Sequence, residues 1–207
     1  MADSLGTFLV EAAVISFSGV LAPGPVTAAT LAAGVRKPHA GAWIAIGHGI
    51  VEFPLMGLIM AGAGTVLASQ GFRSGVGLAG GAALLAMAGL MLYGLRRPAS
   101  QGAPPRTGRP VLTGIVLTGG NPYFLLWWAT VGLALSTRGM SLGVLAFGLF
   151  AVMHWLCDLV WLEALSLASN KGVGLLGPKT QRVIAIACSS AMGIFGLLFL
   201  RDAIKSL

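Results

Sequence analysis

The sequence predicts an all-α integral membrane protein: six transmembrane helices forming two inverted three-helix repeats, with the first and fourth helices broken. Three observations predict it. The chain is 56% hydrophobic and only 9% charged, against about 25% charged residues in a typical soluble domain. Six stretches are long and apolar enough to cross a bilayer core, which takes ~20 residues per helix. Proline-bearing breaks and ionisable residues recur at corresponding places in the two halves.

The composition excludes a water-facing globule, since too few charges exist to coat one. Mean hydropathy is +0.88. The net charge of +7 does not indicate nucleic acid, because the 13 basic residues are scattered between apolar runs. In a membrane protein such an excess marks cytoplasmic loops. Cys157 and Cys188 lie inside apolar segments with no CxxC or zinc-type spacing, and read as small buried hydrophobes. The first 25 residues have no basic n-region and carry Asp3 and Glu11, so a cleaved signal peptide is not expected.

The six apolar stretches run over 5–33, 40–67, 74–95, 111–136, 141–168 and 181–204. They fill residues 1–207 as one polytopic membrane domain. The polar, Pro- and Gly-rich loop 96–110 separates repeat one (5–95) from repeat two (111–204). Arg36, Lys37, Arg96, Arg97, Arg106, Arg109, Lys171, Lys179 and Arg182 fall on one side; Arg73, Arg138, Arg201 and Lys205 fall on the other. That nine-to-four bias puts the odd loops in the cytoplasm and both termini outside. Three spans per half then force the second half to be inverted, an architecture that recurs in transporters.

The first matched feature is a pair of breaks: Pro23-Gly24-Pro25 in the first span, and Asn121-Pro122 in the fourth. Proline removes a backbone donor and clashes with the carbonyl four residues back. Pro23, Pro25 and Pro122 should therefore free the carbonyls of Gly19, Leu21 and Thr118. In hydrocarbon a freed group needs protein or a watery cavity. The segments restarting at Pro25 and Pro122 should offer open N–H groups to an anion such as a carboxylate, and Asn121 adds a side-chain amide. A plain proline kink with no ligand is the alternative.

The second feature is His48-x-x-x-Glu52 in the second span and His154-x-x-x-Asp158 in the fifth. Each pair lies on one helix face, one turn apart. Both acids fall within ~5 Å of the bilayer centre at 1.5 Å rise per residue. A charge there costs about 2.5–3.5 kcal/mol on insertion scales. Pairing, wetting or protonation relieves it, so Glu52 and Asp158 are expected to exchange protons with His48 and His154 as partners. A structural hydrogen bond between packed helices is the alternative.

Weaker candidates remain. Glu11 and His39 read as solvated, and Glu163 as reaching the cytoplasmic interface. Of the five tryptophans, Trp127, Trp128 and Trp155 lie deep enough to line a pocket. Gly77-x-x-x-Gly81 permits a close helix contact, either internal or in a homo-oligomer.

Taken together, Pro23-Gly24-Pro25, the run from Gly34-Val-Arg36 through Ala40-Gly41 to Gly47-His48, and Asn121-Pro122 resemble the LysE family of amino-acid exporters, which includes the homoserine/threonine exporters. The similarity covers nearly the whole chain. It implies export of amino acids across a prokaryotic inner membrane, generally driven by the proton motive force. Asp158 falls where members often have Asp. Tyr123 stands where members commonly have Lys, and His48 and Glu52 are outside the general motif. These departures bear on the substrate more than on the fold. The wider superfamily includes metal-ion exporters and a thiol–disulfide electron carrier; the first and fourth spans hold no cysteine, which excludes the latter.

The leading expectation is a secondary exporter, not an enzyme, with no cofactor. The amino acid's carboxylate would rest near Gly24-Pro25 and Asn121-Pro122, and its ammonium would face Glu52 and Asp158. A divalent-metal exporter using His48, Glu52, His154 and Asp158 as ligands is the alternative. A non-transporting membrane enzyme ranks last, since no Gly-x-Ser-x-Gly or His-Glu-x-x-His is present.

Overall fold

The computed structural model describes residues 4–22, 24–95, 109–172 and 178–205. Pro23, the 96–108 stretch with Arg96, Arg97 and Arg106, residues 173–177, and the side chains of Lys179 and Cys188 lie outside the described residues. The described chain is helical, with no strand.

Helix α1 (Leu5–Val20) starts where the Ser4 hydroxyl accepts the Thr7 N–H, an N-cap. It stops before the proline break, and α2 (Pro25–Gly34) restarts with proline in its first turn. The two meet at 79°. Helix α3 (Ala40–Leu58) follows and kinks over Ile59–Ala63, where Gly62 takes φ +99°, a backbone state natural only to glycine. A short α4 (Gly64–Ala68) leads to α5 (Gln70–Gly94), capped by Ser69. In the second half, α6 (Pro110–Gly119) ends at the second break and α7 (Pro122–Trp127) restarts. A wide π-helical turn, Trp128–Gly132, joins α7 to α8 (Leu133–Ser141). Then come α9 (Val144–Gly172) and α10 (Pro178–Lys205).

Polarity is inverted relative to a soluble protein. Val14, Leu90, Val144, Leu145, Val160, Leu197 and Ile204 are exposed, while Ser16, Thr30, His48, Glu52, Thr118, Ser136, His154 and Asp158 are buried. Apolar side chains facing outward around a polar interior suit a lipid surround. Among the described residues, Ala40–Val66, Gln70–Gly94 and Val144–Gly172 are long and apolar enough to cross a membrane, and the bent α1–α2 pair is a fourth candidate.

Glycine sets the closest approaches. A Cβ on Gly47 would stand 2.0 Å from the Val111 carbonyl oxygen, and one on Gly114 would stand 2.2 Å from that of Ile44. Only glycine lets α3 and α6 touch backbone to backbone there. Gly41 sits equally close to the Leu162 carbonyl, bringing α3 onto α9. Gly77 packs on Ala203, and Gly81 packs on Gly196 and Leu200. The Gly77-x-x-x-Gly81 contact is thus internal, between α5 and α10. Among the described residues, three apolar clusters result. One gathers Phe8, Phe147, Phe150 and Trp128; a second gathers Ala33, Ala40, Ile44 and Leu162; a third, between α5 and α10, gathers Leu84, Ala88 and Met192. The polar centre lies against all three.

Candidate functional site

Helices α3 and α9 pack face to face and bring the two His-acid pairs together. Nε2 of His48 lies 3.1 Å from Glu52 Oε1 and 3.8 Å from Asp158 Oδ2. Nε2 of His154 lies 3.3 Å from Glu52 Oε1 and 3.7 Å from Asp158 Oδ2. The four side chains therefore alternate base and acid around one ring. Each histidine faces its own half's acid and the other half's acid alike.

The outer ring nitrogens also cross between halves. His48 Nδ1 is 2.9 Å from Thr118 Oγ1 of α6, and His154 Nδ1 is 2.8 Å from Ser16 Oγ of α1. The Ser16 hydroxyl already donates to the Ala12 carbonyl at 2.7 Å. A serine has one proton to give, so His154 must donate from Nδ1. That assigns the tautomer and leaves Nε2 for the acids.

Glu52 and Asp158 differ. Glu52 is fully buried, and its Oε1 also accepts the Trp128 indole N–H at 3.3 Å. Its three nitrogen neighbours all lie within hydrogen-bonding range. Asp158 is beyond that range of both histidines, and among the described residues its buried Oδ2 has no hydrogen-bond partner. Glu52 Oε2 is likewise unpartnered. Glu52 is the fixed hub; Asp158 is the acid with capacity to spare.

One cavity, about 70 Å³, joins this ring to both helix breaks. At ~10–15 Å³ per water centre it has room for a few waters. Gly24, Pro25, Asn121, His48, Glu52, His154 and Asp158 all line it, so these expected residues converge. Pro122 does not line it; it is buried beneath Gly80 of α5, where it fixes the start of α7. Trp127 and Trp128 line the cavity, as their depth suggested. Trp155 does not: its indole donates to the Ala45 carbonyl at 3.0 Å, fastening α9 to α3.

The breaks depart from expectation in detail. The Gly19 and Thr118 carbonyls are not left open. The Ala22 N–H takes the first at 3.2 Å, and the Asn121 N–H takes the second at 3.0 Å, because the chain tightens into a turn at each break. The restarts also differ from each other. Gly24 provides no side-chain cap, so the first-turn N–H groups of α2 keep their capacity. Asn121 caps α7 itself, its Oδ1 accepting the Tyr123 N–H at 3.1 Å, and its amide NH₂ is what remains.

Sequence reasoning missed Ser16, Thr118 and the Trp128 donor. The available signal was a hydroxyl within an apolar span, which in hydrocarbon needs a partner. It also read Glu11 and His39 as merely solvated. Glu11 pairs with Arg138 at 2.7 Å, and His39 pairs with Glu163, whose other oxygen accepts the Ala42 N–H at 2.9 Å.

Apolar helices around a buried ionisable centre place the chain among multi-pass membrane proteins. More narrowly, the chain belongs to the LysE type translocator family, whose model matches residues 17–203. That is a family of transporters, not enzymes, so a small-molecule substrate and a lipid environment follow. No curated protein and no solved structure matches the chain.

Proposed function

We propose that this protein is a secondary transporter that exports amino acids or similar small zwitterions by proton-coupled alternating access. It would do so as two inverted three-span repeats in a single domain, in a prokaryotic inner membrane, with both termini outside. The observation that carries this reading is convergence: both helix breaks and both His-acid pairs meet on one cavity. Support for the paired halves comes from the two histidines, each using Nδ1 on a hydroxyl of the other half's broken span.

The substrate carboxylate is received at the uncapped start of α2 and by the Asn121 amide. Its ammonium meets Asp158, whose Oδ2 is unpartnered among the described residues, while Glu52 holds the histidines in place. A proton and the ammonium compete for Asp158, and that competition couples their movements. The cavity is too small in this state for a large side chain, so the halves must rock apart to load one.

The test is flux in proteoliposomes across a panel of amino acids under an imposed pH gradient. Flux that collapses with an uncoupler and in Asp158→Asn is expected. No flux for any member of the panel would reject the proposal.

A divalent cation is the second reading. His48, Glu52 and Asp158 each offer a ligand atom, all within 4.8 Å of one another. Against it, the shortest separations are all base to acid, which is how ion pairs and hydrogen bonds arrange themselves. Tight zinc binding lost in His48→Ala, with no amino-acid flux, would favour the cation.

A further inference from the structure

Beside the central cavity lies a groove of about 370 Å³, between α5, α7 and α10, with Arg73 and Asp202 on its sides. Among the described residues, Tyr123 and Trp127 line both the cavity and the groove. Both are tied to the same residue of the opposite half. The Tyr123 hydroxyl donates to the Ser18 carbonyl at 2.9 Å, and the Trp127 indole donates to the Ser18 hydroxyl at 3.3 Å. The Tyr123 ring also stacks on Phe199 at 13° and leans on Phe195. The Trp127 ring packs flat on His154, centroids 4.9 Å apart, meets Trp128 edge-on at 5.4 Å, and lies against Gly19, where a Cβ would stand 3.0 Å from it.

We propose that Tyr123 and Trp127 form a gate between the central cavity and the Arg73–Asp202 groove, latched by Ser18 at the first helix break. The groove then continues the substrate path, flanked by Arg73, which donates to the Ala129 carbonyl at 2.9 Å, and by Asp202, which pairs with Arg201 at 2.7 Å. The latch joins α1 to α7, one from each half, so rocking of the halves must break it. The Trp127–His154 stack puts the gate in direct contact with the His-acid ring. Tyr123 contributes both a hydroxyl for the latch and an aromatic face for α10.

This inference rests on the transport reading of the cavity, and its test needs no transport. In a Cys157→Ser, Cys188→Ser background, Leu84→Cys puts one thiol on the cavity wall. Its reaction with a membrane-impermeant methanethiosulfonate is timed from the Arg73 end. Tyr123→Phe should speed labelling by about 2- to 10-fold, the shift expected from losing one net hydrogen bond. Tyr123→Ala should speed it further, and Leu90→Ala, on the exposed face of α5 and in the lining of neither space, should leave it unchanged. Equal rates in all three variants, or an equal rise with Leu90→Ala, would overturn the gate. Responsive labelling in a protein that moves no substrate would instead reject the transport reading and leave the gate standing.

Discussion

His154 of the second half lies 3.3 Å from Glu52 of the first, nearly as close as Glu52's own helix neighbour His48 at 3.1 Å. Glu52 is thus shared. The His48 contact is a hydrogen bond whose proton can sit on nitrogen or on oxygen, and the His154 contact is a close approach across the two halves.

Removing the hub should therefore damage the fold. Glu52→Ala leaves the Trp128 donor without its acceptor and the two histidine Nε2 atoms with only Asp158, at 3.8 and 3.7 Å. Breaking a buried pair in this way costs about 3–5 kcal/mol. In detergent unfolding, Glu52→Ala combined with His154→Ala should be less destabilised than the sum of the two, by about 0.5–3 kcal/mol. Additive losses would mean that the contact is incidental.

Asp158→Asn should behave in the opposite way. Asp158 has no hydrogen bond to lose from Oδ2, so thermal stability should change little. Flux should fall by about 10- to 100-fold, the factor for losing one charged hydrogen bond to a ligand. A variant that unfolds as readily as Glu52→Ala would mean that both acids are structural.

How much of this was legible beforehand follows from particular residues. The apolar runs reported the helices because burial in lipid imposes a composition on every turn. The His-acid spacing of four reported a shared helix face. Neither could say which acid is the hub, since that depends on Trp128, the first residue of a π-helical turn in the other half, donating to Glu52. Pro122 looked like a binding residue because proline marks breaks. It packs under Gly80 instead, a contact between spans that no local pattern encodes. The identity of the Gly77-x-x-x-Gly81 partner was invisible for the same reason.

The α3–α6 contact gives a packing test. Gly47→Ala forces a methyl toward the Val111 carbonyl, and overpacking of this kind costs about 1–3 kcal/mol. At Gly89, inside α5, nothing lies within 4 Å of an added Cβ. Gly89→Ala should be neutral or stabilising by about 0.5–1 kcal/mol. Thermal unfolding that fails to separate the two variants would contradict the backbone approach.

Glu163 makes a similar distinction at the other end of the site. It accepts the Ala42 N–H at the start of α3 and so acts as a cap supplied by α9. Glu163→Ala should cost about 0.5–2 kcal/mol, as cap removals do. His39 is the more exposed partner, and its pair with Glu163 should be worth no more than ~1 kcal/mol. Equal losses from Glu163→Ala and His39→Ala would assign the effect to the ion pair rather than the cap.

The two hydroxyls behind the histidines are the sharpest comparison. They occupy matching roles, Thr118 behind His48 and Ser16 behind His154, yet their proton arrangements are not equivalent. Ser16 gives its proton to Ala12 and holds the Nδ1 proton of His154 in place. Ser16→Ala leaves a buried N–H with no acceptor, a loss of about 1–3 kcal/mol, unless His154 moves that proton to Nε2. Such a shift would turn the proton toward Glu52 and leave the net charge of the ring unchanged. Among the described residues the Thr118 hydroxyl pairs with His48 alone, so His48 can donate to it or accept from it, and Thr118→Ala removes less constraint. Nitrogen-15 spectra of the histidine rings read the outcome directly. Ser16→Ala should move the His154 tautomer signal, while Thr118→Ala should leave His154 unchanged. Identical ring spectra in the wild type and Ser16→Ala would show that Ser16 does not set the proton position.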